Sequence, residues 1–436
     1  MKRISKRIAI KELPADFKSK LWFWAQPFET FQWLDTNDYK NAYKNYQTVV
    51  AIDYESLLKI NYKDAFYQMD KYYKNTNDFI FGYLGYDLKN DIEDLESQNF
   101  DGLQLPDLFF FQPKKLFLFT ETHLEIAYLS NYSDQIDNDL KQIDDQIINH
   151  AINQTNFSIH QRMDFETYSK KFEQLQNYIH RGDTYETNFC MEFYGEDVNI
   201  NPYEVYWTLN SINPMPFSAF IKHDNFYVMS ASPERFAGKN AHKIVTQPIK
   251  GTRKRGTTQT EDVDIIKELK ANTKERSENI MIVDLLRNDL SRIALKNSVN
   301  VEELCTIYIF PGVHQMISTI TCEVEDTINV VEIIKALFPM GSMTGAPKIS
   351  TMRIIEELEM HKRGVYSGAI GYISPEGNFD FSVVIRTILY NALNRYLSLS
   401  VGGAVTSEAN VEAEYEECMI KAESLLKTLD KFQKRA

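Results

Sequence analysis

Short apolar runs in this 436-residue chain occur in pairs that are separated by tight turns. Residues 116–119 and 124–128 form one pair, and residues 366–373 and 379–390 form another around Ser374-Pro375-Glu376-Gly377. Apolar runs joined in this way predict β-hairpins. Helical stretches do not alternate with the strands as they do in regular βαβ units, so the pattern predicts an α+β fold.

Four stretches show the three- and four-residue spacing of amphipathic helices. The clearest covers residues 165–180, where Asp164 is the expected N-terminal cap and Gly182 follows the end. The others are residues 261–292, residues 347–360 after a loop rich in Gly, Ser and Thr, and residues 411–432. The polar, acidic segment 131–157 is interpreted as a helix plus a linker between two lobes.

Composition excludes several classes of function. A net charge of −13 argues against a partner with a phosphate backbone, so no nucleic acid is expected. No apolar run reaches the roughly 18 residues of a membrane helix, and no apolar segment of a secretion signal follows the basic residues near Met1. The four cysteines lack the spacing of a zinc site or a disulfide framework, which is typical of a reducing cytoplasm.

Lys250 lies in the segment Gln247-Pro248-Ile249-Lys250-Gly251-Thr252-Arg253, where Pro and Gly predict a tightly turned backbone. Such a turn would hold the amine at a fixed place. We expect burial to lower the pKa of this lysine, so that it can act as a nucleophile or base. An ordinary solvated lysine is the alternative when the residue is taken alone.

Two acidic pairs, Glu275 with Glu278 and Glu414 with Glu417, are each spaced one helical turn apart. Lys421 follows Glu417 by four residues and borders the buried face of the same predicted helix. Carboxylates from two distant helices would form a hard oxygen site suited to Mg²⁺. Solvated surface pairs are the alternative on spacing alone.

The loop 339–348 offers backbone N–H and hydroxyl groups at a helix N-terminus, which favours an anion such as a carboxylate or phosphate. It matches neither a Walker loop nor a dinucleotide-binding glycine motif. Arg386 lies among Val and Ile in a predicted strand and therefore needs a carboxylate from the protein or from a ligand. For the loop, the alternative is a capped loop without a ligand. For Arg386, it is a structural ion pair.

Seven motifs between residues 165 and 426 occur together in an order that resembles the chorismate-utilising enzymes. They are SPERF at 232–236, PIKGTR at 248–253, ERSEN at 275–279, VDLLRNDL at 283–290, GSMTGAPK at 341–348, IRT at 385–387 and AEYEE at 413–417. The resemblance implies two facing antiparallel β-sheets wrapped by helices. It also implies a lobe over residues 1–155, similar to that of anthranilate synthase component I, and a chorismate-binding catalytic domain over residues 156–436.

Lys250 separates the branches of this family. Anthranilate synthases carry alanine at that place, and isochorismate and salicylate synthases also lack the lysine. The chain therefore most resembles the aminodeoxychorismate-forming branch, which leads to para-aminobenzoate and folate, and residues 181–190 are also more similar to that branch. The implied activity is amination of chorismate by ammonia.

The resemblance also implies a role for each site residue. Lys250 adds at ring C2 while the 4-hydroxyl leaves, Glu234 protonates the leaving group, and ammonia then attacks C4 and expels the lysine. The implied Mg²⁺ ligands are Glu278, Glu417 and, directly or through water, Glu414. The implied substrate-binding residues are Ser342, Thr344, Tyr366, Arg386, Gly402, Gly403 and Lys421.

Two positions depart from the family pattern. Gln315, beside His314, stands where histidine is common, and Gln247 stands where arginine is common. Anthranilate synthase uses that histidine in steps that end with loss of pyruvate. Glutamine is therefore consistent with an enzyme that stops at aminodeoxychorismate, although simple variation is the other explanation.

The chain lacks the Gly-x-Cys-x-Gly turn of a glutamine amidotransferase. Ammonia is therefore expected from a separate glutamine amidotransferase subunit or from solution. Two other functions remain open, namely anthranilate synthase component I and a non-catalytic regulatory subunit of the same fold.

Overall fold

A computed structural model describes residues 2–310 and 312–434, and in these residues it contains 20 strands and 11 α-helices. The strands are β1 (Arg3–Ala9), β2 (Thr30–Asp35), β3 (Thr48–Ile60), β4 (Ile80–Leu84), β5 (Leu108–Phe119), β6 (His123–Leu129), β7 (His160–Gln161), β8 (Glu186–Gly195), β9 (Phe217–His223), β10 (Phe226–Ser232), β11 (Arg235–Asn240), β12 (Lys243–Gln247), β13 (Ile249–Lys254), β14 (Asn300–Ile309), β15 (Val313–Glu323), β16 (Gly345–Ala346), β17 (Ala369–Ile373), β18 (Phe379–Val383), β19 (Thr387–Asn391) and β20 (Tyr396–Thr406). The helices are α1 (Phe17–Ala25), α2 (Ala65–Thr76), α3 (Lys89–Ile92), α4 (Ile136–Asp144), α5 (Phe165–Arg181), α6 (Pro202–Ile212), α7 (Gln259–Ala271), α8 (Thr273–Ser291), α9 (Val330–Leu337), α10 (Lys348–Leu358) and α11 (Val411–Asp430).

The strands pair in two antiparallel series that share β5. One series runs β5, β3, β2, β9, β10, β19, β20 and β8. The other runs from β5 through β4, β17, β18, β11, β12 and β15. The strands β13 and β14 pair with β15 at the end of this second series.

Two apolar cores hold these layers together. The first contains residues from both series, including Ala219 and Val228 from one and Ala237 and Phe381 from the other. The second lies where α1, α5, α6 and α11 cover the first series. The predicted α+β fold with two antiparallel sheets and surrounding helices is thus confirmed. No helix in the described residues has the length and apolar composition needed to cross a bilayer.

Strands from both ends of the chain contribute to each series. In the first, β2 pairs with β9, and in the second, β4 pairs with β17. The backbone of residues before and after position 155 is therefore joined by hydrogen bonds in both sheets. The division into units of residues 1–155 and 156–436 stays a prediction.

Two of the predicted helices show how far local signals determine the structure. In α5, the carboxylate of Asp164 accepts a hydrogen bond of 2.8 Å from the N–H of Thr167, and Gly182 ends the helix with a φ of 83°. The stretch 261–292 is divided into α7 and α8, so the prediction of one continuous pattern was wrong there. The side chain of Asn272 accepts a hydrogen bond of 3.0 Å from the N–H of Glu275 and thereby starts a new helix.

Arg386 does not lie in the middle of a strand, as the sequence pattern predicted. It lies between β18 and β19 and has a left-handed backbone with a φ of 53°. The reason is topological, because β18 pairs with β11 in the second series whereas β19 pairs with β10 in the first. The chain crosses from one sheet to the other at this break.

Candidate active site

Lys250 is positioned by a β-bulge in β13. The register against β15 shifts between Ile249, which faces Ile317, and Thr252, which faces Gln315. Gly251 adopts a φ of 86°, and a Cβ there would lie 3.0 Å from Glu275 Oε2. Lys250 itself is only 9% exposed. A bulge of this kind redirects a side chain while the strand continues.

Glu186 on β8 is the partner of Lys250, with 2.7 Å between Glu186 Oε1 and Lys250 Nζ. Burial on its own would lower the pKa of Lys250, but the negative charges of Glu186, Glu278 and Glu234 raise it above its usual value. The expectation of a lowered pKa was therefore wrong, because the sequence did not reveal these carboxylates as neighbours. One feature of the sequence could have indicated Glu186. It is a charged residue at the start of the strand that follows Gly182 and Asp183.

Glu234 lies in the connection between β10 and β11 and is buried. Its Oε1 accepts a hydrogen bond of 2.6 Å from the hydroxyl of Ser342, which lies in the 3-10 turn Gly341–Met343. Burial raises the pKa of Glu234 to about 7, although Ser342 and Lys250 act in the opposite direction. A carboxylic acid that keeps its proton near neutral pH can act as a general acid.

The predicted carboxylates from distant helices do meet. Glu278 on α8 is 7% exposed and Glu414 on α11 is 1% exposed. Lys274 lies between them, with its Nζ 2.8 Å from Glu414 Oε1 and 3.8 Å from Glu278 Oε1. Glu417 is paired separately, through a contact of 2.6 Å with Lys421 Nζ. Lys274 thus bridges the carboxylates of α8 and α11, whereas Glu417 and Lys421 form a separate pair within α11.

The donor set of Glu278, Glu414 and Glu417 fits Mg²⁺ in its chemistry, because all its ligand atoms are carboxylate oxygens. Glu278 Oε1 is buried and has no hydrogen-bond partner among the described residues. Burial raises the pKa of Glu278 to about 7. An uncompensated carboxylate of this kind favours a cation.

The three carboxylates are not gathered as tightly as metal ligands would be. Within residues 2–310 and 312–434, the group whose potential ligand atoms all lie within 4.8 Å of one another is instead Glu29, His223 and Asp224, near the turn between β9 and β10. Lys274 and Lys421 each hold one carboxylate of the predicted set. Glu414 and Glu417 therefore each have a lysine as their cationic partner.

Lys421 contacts both Arg386 and Gly402. Arg386 Nη1 donates a hydrogen bond of 3.2 Å to the carbonyl of Lys421, and Lys421 Nζ donates one of 2.8 Å to the carbonyl of Gly402. Arg386 forms no ion pair with an acidic side chain of the described residues. The structural ion pair that was the alternative for Arg386 is therefore not seen among the described residues. Binding of a ligand carboxylate stays a prediction.

The Gly402-Gly403 pair on β20 lies close to its neighbours, and backbone crowding requires glycine at Gly402. A Cβ at Gly402 would lie 2.6 Å from Cys190 Sγ and from the carbonyl oxygen of Phe189. A Cβ at Gly403 would lie 2.9 Å from Glu414 Oε2. Both residues therefore let the last helix and β8 approach β20 closely.

Two of the predicted substrate contacts are turned towards the protein. The hydroxyl of Thr344 donates to the carbonyl oxygens of Met340 at 3.1 Å and Gly341 at 3.3 Å. Tyr366 is buried, and its hydroxyl lies 3.8 Å from Cys190 Sγ. Their roles in binding substrate stay predictions.

The two departures from the family pattern have different surroundings. The side chain of Gln247 accepts a hydrogen bond of 2.6 Å from Arg235 and donates one of 3.2 Å to Thr319. Gln315 on β15 faces Thr252 on β13, and its Oε1 is buried without a hydrogen-bond partner in the described part of the chain. The side chain of Gln247 is thus held by hydrogen bonds, whereas Gln315 has an unused acceptor close to the bulge.

Comparison with known proteins gives a consistent picture. The sequence profile described as "chorismate binding enzyme" matches residues 23–427. Aminodeoxychorismate synthase component 1 of Escherichia coli strain K12 is 41% identical over 266 residues, which are 61% of this chain and 58% of that protein. The chain therefore aligns with less than two thirds of that relative's length.

A longer alignment is found with aminodeoxychorismate synthase component 1 of Bacillus subtilis strain 168. It is 33% identical over 361 residues, which are 80% of this chain and 76% of that protein. Among solved structures, anthranilate synthase component I from Streptococcus pneumoniae TIGR4 matches with a TM-score of 0.77 and 24% identity. That match covers 89% of this chain and 95% of the other, and it supports the fold.

Proposed function

Because the chain belongs to the family of chorismate-binding enzymes, we propose that it aminates chorismate to 4-amino-4-deoxychorismate, for para-aminobenzoate and folate synthesis. The observation that carries this proposal is the bulge that presents Lys250 in a buried site beside Glu234. A lysine so placed offers a covalent route to substitution at ring C4. The relatives from E. coli and B. subtilis, which are named for this product, support the same branch.

In the first half of the reaction, Lys250 Nζ forms a bond to ring C2, the ring double bond shifts, and the C4–O bond breaks. Glu234 supplies the proton with which the hydroxyl leaves as water. Lys250 must first lose its own proton, and Glu186 accepts it, since its Oε1 lies 2.7 Å from the amine.

In the second half, the nitrogen of ammonia forms a bond to C4, the double bond returns, and the C2–N bond to Lys250 breaks. The proton that the new C4–N bond releases passes to the carboxylate of Glu234, and Lys250 recovers its proton from Glu186. Both acids end in their starting state. The net change is replacement of a hydroxyl by an amine with release of water.

The charged groups around the site would bind the two carboxylates of chorismate. When bound by Glu278, Glu414 and Glu417, Mg²⁺ would hold the ring carboxylate and offset its negative charge. Arg386 and Lys421 lie together and would bind the enolpyruvyl carboxylate. Fixing both ends of the substrate places C2 against Lys250.

Ammonia is proposed to come from a separate glutamine amidotransferase subunit. Both aminodeoxychorismate synthase relatives described above are named component 1, which favours a second component. The four cysteines of this chain are buried, and burial raises the pKa of the thiols of Cys190, Cys322 and Cys418 to values that disfavour a nucleophilic thiolate.

Anthranilate synthesis is the second candidate, because an anthranilate synthase component shares the fold. Lys250 and Gln315 argue against it, since the family's anthranilate branch is expected to carry alanine and histidine there. A non-catalytic regulatory subunit is a third possibility. The joint presence of Lys250, Glu186 and Glu234 in one buried cluster argues against that possibility.

The test is incubation of the purified chain with chorismate, Mg²⁺ and ammonium at a series of pH values from about 7 to about 9, with mass spectrometry of the products. We expect a product that retains the enolpyruvyl group and carries an amine. Anthranilate with pyruvate would instead support the second candidate. If chorismate is unchanged although the protein is folded, the catalytic proposal fails.

A further inference from the structure

Lys274, in the first turn of α8, is a partly exposed residue whose ammonium group contacts buried carboxylates. Its side chain is 45% exposed, yet its Nζ lies 2.8 Å from Glu414 Oε1 and 3.8 Å from Glu278 Oε1. The stem of this lysine therefore leads from solvent to the carboxylate cluster.

Among the described residues, Lys274 is the cation that forms ion pairs with both of these carboxylates. Glu414 is 1% exposed, and its Oε2 lies close to Gly403, where a Cβ would be 2.9 Å from it. Glu278 Oε1 has no hydrogen-bond partner among the described residues. Two buried negative charges without a cation between them would be strongly destabilising. Lys274 supplies that cation.

We propose that Lys274 is a tethered cation that occupies the carboxylate site while Mg²⁺ is absent and that Mg²⁺ must displace. This inference rests on the proposed function, because it uses the same metal ligands. Lysine suits the role, since its ammonium is a compact charge on a flexible stem that can move into solvent. The lysine would thereby weaken the binding of Mg²⁺ and preserve the fold of the metal-free protein.

The experiment compares the wild type with Lys274→Met and with the control Lys170→Met. Lys170 forms an exposed pair with Glu166 at the same i,i+4 spacing that relates Lys274 to Glu278. Binding is measured with Mn²⁺ by the loss of its free-ion electron paramagnetic resonance signal, followed by competition with Mg²⁺. Thermal unfolding is measured in a chelator and again at saturating Mg²⁺.

We expect Lys274→Met to bind both metals at least about tenfold more tightly, because tenfold corresponds to about 1.4 kcal/mol, near the lower end of what a hydrogen bond to a charged group contributes. Its metal-free form should unfold about 2 °C lower, and saturating Mg²⁺ should remove that difference. Lys170→Met should leave metal affinity unchanged.

Three outcomes would overturn the inference. Unchanged or weaker metal affinity in Lys274→Met would show that the lysine does not compete. Tighter binding without loss of metal-free stability would show that Lys274 repels the metal from nearby without occupying its place. Absence of metal binding in every variant would remove the metal site itself, whereas the product assay would still report separately on amination.

Discussion

Lys250 and Glu186 form a buried ion pair, and in the proposed reaction its strength decides when the lysine becomes a nucleophile. Replacing Glu186 by Gln keeps the shape of the side chain but removes its charge. Since a nearby carboxylate favours the ammonium form, we expect the pKa of Lys250 to fall. The rise in kcat/KM with increasing pH should therefore shift to lower pH.

The pH profile of Glu192→Gln is the matched control. Glu192 lies on β8, as Glu186 does, and is a buried carboxylate paired with Arg162. Neutralising it tests the general effect of removing a buried carboxylate. If the rise in kcat/KM occurs at the same pH in Glu186→Gln as in the wild type, Glu186 does not control the protonation state of Lys250.

Lys250→Ala removes the covalent route, and we expect little aminodeoxychorismate from it. It also leaves Glu186 with an uncompensated buried charge, which should destabilise the fold by about 3–5 kcal/mol. The double variant Lys250→Ala with Glu186→Gln should recover much of that stability but none of the activity, as measured by denaturant unfolding and product assay. Near-normal turnover in the folded double variant would rule out a nucleophilic lysine.

Glu234→Gln tests the general acid. The amide oxygen can still accept the hydrogen bond from Ser342, so the fold should be maintained, while the rate should fall by about 10²–10⁴-fold. Because burial raises the pKa of Glu234 to about 7, its acid form is lost as the pH rises through that value. A decrease in the wild-type rate above pH 7 should therefore be absent from the variant. If both proteins show the same decrease in rate above pH 7 and similar rates, Glu234 is not the general acid.

At the scale of elements, the bulge in β13 links backbone geometry to chemistry. Gly251→Ala places a methyl group at a φ of 86° and 3.0 Å from Glu275 Oε2. Left-handed backbone destabilises a non-glycine residue by roughly 1–2 kcal/mol. We expect that loss of stability together with a large decrease in kcat, because Lys250 is displaced.

Gly182→Ala provides the matched control for this element. Gly182 has a similar φ of 83°, and a Cβ there would meet nothing within 4 Å. Its loss of stability in thermal unfolding should be comparable, while kcat should stay close to that of the wild type. Equal effects of the two substitutions on kcat would show that the bulge has no special role in placing the lysine.

The elements also show which information the sequence contains. Helix α5 was predictable because its signals, Asp164 and Gly182, are local. The break at Arg386 was not, since a change of sheet depends on the distant partners β11 and β10. The motifs predicted that Lys250, Glu234 and the carboxylates of α8 and α11 serve one site, but Glu186 and Lys274 emerged only from distances between side chains.

At the scale of the molecule, the two sheets join residues on both sides of position 155. A fragment of residues 156–436 would lose β2 from beside β9 and β4 from beside β17. Open strand edges favour association. We therefore expect this fragment to aggregate and the full chain to unfold in one transition, as seen by size-exclusion chromatography and circular dichroism. A monomeric fragment with native β-signal would instead show that the predicted catalytic domain folds independently.

The position of α11 in the chain has a consequence for the order of synthesis. This helix supplies Glu414, Glu417 and Lys421, and it packs on β20 and α5 through Cys418 and Leu425. While a ribosome is still adding these residues, the apolar surface that they cover faces solvent and is prone to aggregation. We therefore expect a chain that stalls after β20 to be bound by chaperones or degraded by proteases. The proposed site is completed only after all the described strands have been synthesised.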